Sequence, residues 1–148
     1  MIKYSKIFIA CDHAGLELKN FLIKSNPKIK FEDLGTNTDE SVDYPDFADR
    51  VAEKVSQDQH SYGVLVCGSG QGMAMRANKY QNIRAALTWS EEVAKLSRQH
   101  NNANILVFGG RLTDHKLASN MLNVFFSTEF EGGRHARRVE KVGSKPKC

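Results

Sequence analysis

Short apolar runs alternate with amphipathic segments along the whole chain. Ile7 to Cys11 (IFIAC) is strand-like, and Leu16 to Lys24 carries Leu18, Phe21 and Leu22 at helical spacing. Lys30 to Gly35 alternates and predicts a second strand, the polar stretch TNTDESVDYP predicts a loop, and Phe47 to Val55 predicts a helix. Val64 to Val66 reads as a buried strand that ends in Cys67, and the segment from Gln71 through Lys79 reads as the helix that follows. Ile83 to Trp89 makes a fourth strand. Ser90 to His100 makes a helix with Ser90 as its N-cap and Glu91 and Glu92 in its first turn. Ala103 to Gly110 makes a fifth strand, and a last helix begins near Asp114.

Strands that alternate with helices predict a parallel sheet covered on both faces, because parallel strands need crossover connections. The expected fold class is α/β, a Rossmann-like three-layer αβα sandwich with a five-stranded parallel sheet. In such sheets ligands sit beyond the carboxyl ends of the strands. The residues that follow strand ends here are Cys11-Asp12-His13, Cys67-Gly68-Ser69-Gly70, Trp89-Ser90 and Gly109-Gly110-Arg111, so reactive side chains collect on one edge.

Composition narrows the classes. A chain of 148 residues that is 41% hydrophobic suits one domain over residues 1–148, with a basic helix or tail from about residue 131. The net charge of +4 is modest, and much of the basic excess lies between Arg134 and Lys147. That balance does not call for nucleic acid and fits an anionic small molecule. Cys11, Cys67 and Cys148 form an odd set without a CxxC pair, against a disulfide framework or a structural zinc site and in favour of a reducing compartment. Asp12 and His13 break the N-terminal apolar run, so neither a signal peptide nor a membrane span is expected. The terminal SKPKC ends in cysteine itself, which does not indicate prenylation, and the expected location is cytoplasmic.

The segment CGSGQG, residues 67–72, carries the strongest chemical signal. A cysteine at a strand-to-helix turn meets unpaired backbone N–H groups, which favour a thiolate and can hold an anionic oxygen. A lone strand-end cysteine is ordinarily a small buried hydrophobe; Ser69 and the flanking glycines move Cys67 toward a chemical role as nucleophile or base. The glycine pattern is neither a P-loop nor G-x-G-x-x-G, and it follows the third strand, so a nucleotide reading is weak. Cys11 lacks such a loop and reads as packing; Cys148 reads as a solvated end. Asp12 and His13 fit either a helix cap or ligand contacts. His100 ends a helix where the dipole favours its charged form, and Asn101 could join a polar site. Arg134 and Arg138 are four apart and share a helix face, with Arg111 as a possible third guanidinium for a phosphate monoester; a solvated basic tail is the plain alternative. His60 and His115 read as surface residues, and no spacing suggests a metal.

Several motifs in one order also resemble a known family. CDHAG, CGSGQGM followed by ANK and IRAAL, RQHNNAN, GGR after the fifth strand and FEGGRHARRV are together similar to the type B ribose-5-phosphate isomerases, of the wider group that includes the galactose-6-phosphate isomerase subunits. The resemblance runs essentially end to end. It implies interconversion of ribose 5-phosphate and ribulose 5-phosphate through an enediolate, in the pentose phosphate pathway, with no metal and no organic cofactor. It implies Cys67 as the base, since Met75 stands where other members carry a glutamate, and Ser69 as the relay of hydroxyl protons. His100 matches the residue that assists ring opening. Asp12 and His13 match sugar or phosphate contacts, Gly68, Ser69, Gly70, Gln71 and Gly72 the anion hole, Asn101 a substrate contact, and Arg111, Arg134 and Arg138 the phosphate side. The resemblance further implies a homodimer or a dimer of dimers with sites shared between chains, and no nucleic-acid or membrane partner. Arg76 departs from the smaller residues common there and reads as solvated. The rivals are an isomerase for allose 6-phosphate or galactose 6-phosphate, a non-catalytic sugar-phosphate sensor, and a thiol-redox module, which would lack a resolving cysteine.

Overall fold

The structure is a computed structural model that describes residues 2–147, so Cys148 lies outside the described residues. In chain order the elements are β1 (Lys6–Cys11), a 3-10 turn (His13–Gly15), α1 (Leu16–Ser25), β2 (Phe31–Asp33), α2 (Tyr44–Ser56), β3 (Ser61–Cys67), α3 (Gln71–Ala77), β4 (Ala85–Leu87), α4 (Glu91–Gln99), β5 (Ile105–Gly109), α5 (His115–Ser127) and α6 (Arg134–Gly143). All strand pairs are parallel, in the order β2-β1-β3-β5-β4.

The burial pattern explains that order. β3 and β5 are buried at every residue, as central strands covered on both faces must be. β2 and β4 each pair on one side only and keep half-exposed residues; they are shorter than the spans 30–35 and 83–89 expected from the sequence. Alternate residues of each strand feed two separate cores. Ile7, Ile9, Val64, Val66, Leu106 and Phe108 pack with Leu18 and Leu22 of α1, Ala94 of α4 and Met121, Leu122 and Phe125 of α5. Phe8, Ala10, Leu65, Ile105 and Val107 pack with Phe47, Val51 and Val55 of α2 and with Met73 and Ala77 of α3. The result is the three-layer αβα sandwich with a five-stranded parallel sheet. Among the described residues no helix is long and apolar enough to cross a membrane.

Two local features differ from the sequence expectation. α2 begins at Tyr44 and not at Phe47, because Pro45 sits in its first turn, where proline lacks only an N–H that would be unpaired anyway. β3 begins at Ser61, three residues before the apolar run. After α5 comes α6, where a basic helix or tail was expected from about residue 131, and within it only His135 is buried. Ser90 does cap α4, with its hydroxyl accepting from Val93 N at 3.2 Å.

The chain leaves β1 for β2 on one side and then crosses to β3 on the other. The sheet therefore has its switch point between β1 and β3, and the crevice beyond their carboxyl ends is where such folds hold ligands.

Candidate active site

The ends of β3 and β5 are tied together by the backbone. Gly110 N donates to Cys67 O at 2.7 Å, and Arg111 N donates to Gly68 O at 3.1 Å, which brings Arg111 beside the glycine loop. Gly70 caps α3 in the left-handed region, at φ 79°. A Cβ there would strike the Leu87 side chain and lie 2.9 Å from the Phe108 carbonyl carbon, so the loop is pressed against the end of β5. At Gly72 a Cβ would run into the Tyr44 ring, so the first turn of α2 covers the start of α3.

These contacts enclose an open cavity of about 520 Å³ lined by Asp12, Tyr44, Cys67, Gly68, Ser69, Gly72, Arg111 and Leu112. Cys67 is only 4% exposed, yet it forms part of that wall. Ser69 is exposed at the rim, and its Oγ accepts from Gln71 N at 3.4 Å. The N–H groups of the first turn of α3 have no partner within the helix, and Gly72 in that turn lines the cavity. A thiol, a carboxylate, a hydroxyl and a guanidinium thus share one cavity with backbone donors. That set can move a proton and stabilise an oxyanion.

Asp12 caps the 3-10 turn, with Oδ1 accepting from Gly15 N at 3.1 Å, and it also lines the cavity, so the capping and ligand readings are compatible. His13 Nδ1 accepts from Val42 N at 3.2 Å. In the neutral ring this hydrogen bond assigns the proton to Nε2 and leaves that atom as the donor. Beneath them Lys19 is wholly buried, with Nζ 2.7 Å from Asp33 Oδ1, 2.6 Å from Thr36 O and 3.0 Å from Asn37 Oδ1. This ammonium holds the segment that leads to Val42 and Tyr44. Cys11 lies nearby, fully buried, and burial pushes its thiol up to about 12 against the opposing pull of Lys19. It packs in the core beside β1's neighbours.

The remaining candidates lie elsewhere in the chain. His100 caps the end of α4, and its ring stacks on His135 at 4.3 Å between centroids and 13° between planes. Asn101 lines a separate groove with Ala85 and Ala86 of β4 and Val139 and Val142 of α6. Arg134 and Arg138 are exposed on α6. Among the described residues, none of these four lines the Cys67 cavity. Gln71 is exposed and outside its wall, and Gly70 is buried behind it. A larger cavity of about 850 Å³ opens at the opposite edge, where β3 and β5 begin, lined by Asp58, His60, Arg84, Asn104 and neighbours. It offers no thiol and none of the strand-end residues, so the Cys67 cavity is the better site despite its smaller size.

Three residues correct or extend the sequence reading. Arg76 is exposed on α3, as expected, and it also pairs in two-pronged fashion with Asp49, at 2.7 and 3.1 Å, which ties α3 to α2. His115 is not simply solvated, since its ring packs on Phe21 at 5.0 Å. Tyr44, the first residue of α2, lies in the stretch that the sequence reads as a polar loop; an aromatic ahead of a helix-starting proline is the available signal.

Comparison with known proteins adds an independent line. The family profile described as Ribose/Galactose Isomerase matches residues 7–142. A probable ribose-5-phosphate isomerase B of Mycoplasma genitalium is 44% identical over 140 residues, which cover 92% of this chain and 92% of that protein. The crystal structure of a ribose 5-phosphate isomerase of Thermotoga maritima superposes with a TM-score of 0.90 at 47% identity, covering 93% of this chain and 97% of that one. The structure of the Mycoplasma genitalium ribose-5-phosphate isomerase B with bound ribulose-5-phosphate superposes with a TM-score of 0.90 at 41% identity, over 95% of each chain.

Proposed function

The chain belongs to the ribose/galactose isomerase family, and from that premise we propose that it interconverts ribose 5-phosphate and ribulose 5-phosphate with Cys67 as the base. The observation that carries the assignment of the base is the place of Cys67 on the cavity wall, at the sheet's switch point, beside Ser69 and the start of α3.

The chemistry follows from what an aldose–ketose conversion requires. The Cys67 thiolate takes the proton from C2 of the open-chain aldose, and the C2–H electrons form the C1–C2 double bond while the carbonyl oxygen on C1 gains charge. Backbone N–H groups of the 68–72 segment hold that charge; one such donor is worth about 100- to 1,000-fold in turnover. Ser69 passes the O2 proton to O1. The Cys67 thiol then returns its proton to C1 as the C2 carbonyl forms, so the thiolate is regenerated and no metal or organic cofactor is needed. Asp12 and His13 contact sugar or phosphate, and Gln71 supports the anion hole. Binding the phosphate away from the reacting carbons holds the sugar in a productive pose.

The phosphate side is divided between chains. Arg111 stands in the Cys67 cavity, whereas His100, Asn101, Arg134 and Arg138 do not. We infer that a second copy of this chain brings His100 for ring opening, Asn101 for a substrate contact and Arg134 and Arg138 for the phosphate, in a homodimer or a dimer of dimers.

The test is ribulose 5-phosphate formation from ribose 5-phosphate with a chelator present, by the native chain and by Cys67→Ala, with allose 6-phosphate and galactose 6-phosphate beside it. The native protein should turn over the five-carbon sugar best, and the folded variant should lose about 100- to 10,000-fold. Full activity in Cys67→Ala would overturn the base. Tight phosphate-sugar binding without turnover would favour a sensor.

A further inference from the structure

His135 stands apart from every other buried polar side chain among the described residues: its Nε2 has no hydrogen-bond partner. Its side chain is 9% exposed. Buried polar atoms are nearly always paired, so an unpaired imidazole nitrogen marks a place where a ligand would remove a cost. The atom is not isolated. Glu131 Oε2 lies 3.5 Å from it, and the His100 ring stacks on the His135 ring. One ligating atom from each of His100, Glu131 and His135 falls within 4.8 Å of the others.

The backbone builds this cluster. Glu131 N donates to Gln99 O at 3.1 Å, which holds Glu131 at the end of α4 next to His100. Gly132 and Gly133 then turn the chain with positive φ, and His135 N donates to Gly132 O at 3.0 Å, so the first turn of α6 comes back over the same spot. His100 sits at the carboxyl end of α4, where the helix dipole favours a cation.

We propose that His100, Glu131 and His135 form an inhibitory site for a divalent transition-metal ion of the zinc or cobalt class, which withdraws His100 from substrate ring opening. The inhibitory half of the proposal rests on the isomerase reading above. Two imidazoles and one carboxylate are a donor set suited to such ions, and they leave the fourth position open. A tetrahedral ion at about 2.0–2.1 Å needs ligand atoms about 3.3 Å apart. The Glu131–His135 pair is already near that spacing, and His100, half-buried, and Glu131, exposed, can rotate to close the rest. Arg134 and Arg138 raise the local positive charge beside His135 and oppose the ion. The site is therefore weaker than a structural zinc site, as suits reversible inhibition.

The experiment uses the full chain stripped of metal and titrated with Co²⁺, read by the visible absorption of tetrahedral cobalt. Zn²⁺ inhibition of ribose 5-phosphate turnover is measured in parallel. One Co²⁺ should bind per chain, and His135→Gln and Glu131→Gln should each weaken binding about tenfold or more. Cys67→Ala should bind Co²⁺ as the native chain does. Glu131→Gln, whose side chain is exposed and takes no part in the proposed chemistry, should keep its metal-free turnover and need more Zn²⁺ for inhibition. Absence of the cobalt spectrum, unchanged affinity in both variants, or loss of binding in Cys67→Ala would each overturn the proposal. Cobalt binding is read without turnover, so a failure of the isomerase reading would be seen separately.

Discussion

The glycines of the 68–72 segment make the loop's geometry testable, because the structure requires glycine to a different degree at each. Gly70 adopts φ 79°, which costs an L-residue roughly 1–2 kcal/mol. A methyl group there would also press on Leu87 and on the Phe108 carbonyl, at 2.9 and 3.0 Å from its carbon and oxygen. Such overpacking against backbone that cannot move costs about 1–3 kcal/mol, so Gly70→Ala should lose about 2–5 kcal/mol in all. Gly68 is the control. Its φ is not left-handed, and a Cβ would meet Arg111 Nη1 and the Ala14 Cβ at 3.6 and 3.7 Å, ordinary contacts. Gly68→Ala should stay within about 0.5 kcal/mol of native. Gly72→Ala is intermediate, since its methyl would displace the Tyr44 ring, which is 40% exposed and free to swing. Stability should fall little there, while turnover falls because one cavity wall has moved. Urea unfolding and ribose 5-phosphate turnover on the three variants decide the matter. Gly70→Ala as stable as Gly68→Ala would refute the reasoning.

Two further outcomes follow from the titrating groups. Asp58 accepts from Ser5 Oγ, Ser61 Oγ and His60 N, and these bonds, that of Ser5 first, hold its carboxyl down to about 2 from an ordinary 3.8. The unfolded chain protonates first on acidification, so this contribution is whole above about pH 4 and disappears as pH falls toward 2. Asp58→Asn should flatten the stability loss across that window in urea titrations, and an unchanged slope would contradict the assignment. With its thiol near 12, Cys11 should be thiolate in on the order of one molecule in 10⁴ at pH 8. Iodoacetamide labelling of the native protein, mapped by mass spectrometry, should therefore modify Cys67 on the cavity wall well before Cys11; equal rates would contradict it.

How much of this could be read from the chain varies with distance. β1, β3 and β5 were legible because burial on both faces demands unbroken apolar runs, and those runs are visible one residue at a time. The edge strands were overextended, since Lys30 and Trp89 continue the pattern although no neighbouring strand pairs there. The strand-end residues Asp12, Cys67, Gly68, Ser69 and Arg111 could be grouped because a parallel sheet places every carboxyl end on one edge. Tyr44 could not, since its role depends on α2 folding back over Gly72. The pairing of the exposed Arg76 is hidden because its partner Asp49 belongs to another helix. The stacked pair of His100 and His135 is equally invisible, arising from α4 and α6 meeting far apart in sequence. His100, Asn101, Arg134 and Arg138 raise a further level: on our reading they act only once two chains meet.

That claim of a shared site is tested most directly by mixing two inactive chains. Cys67→Ala and the double variant Arg134→Ala/Arg138→Ala are each assayed alone and then co-refolded. If one chain's cysteine works with the other's arginines, random pairing leaves one intact site in each hybrid dimer and restores about a quarter of native turnover. If all of these residues served a site within one chain, every site in the mixture would carry a defect and no activity would return.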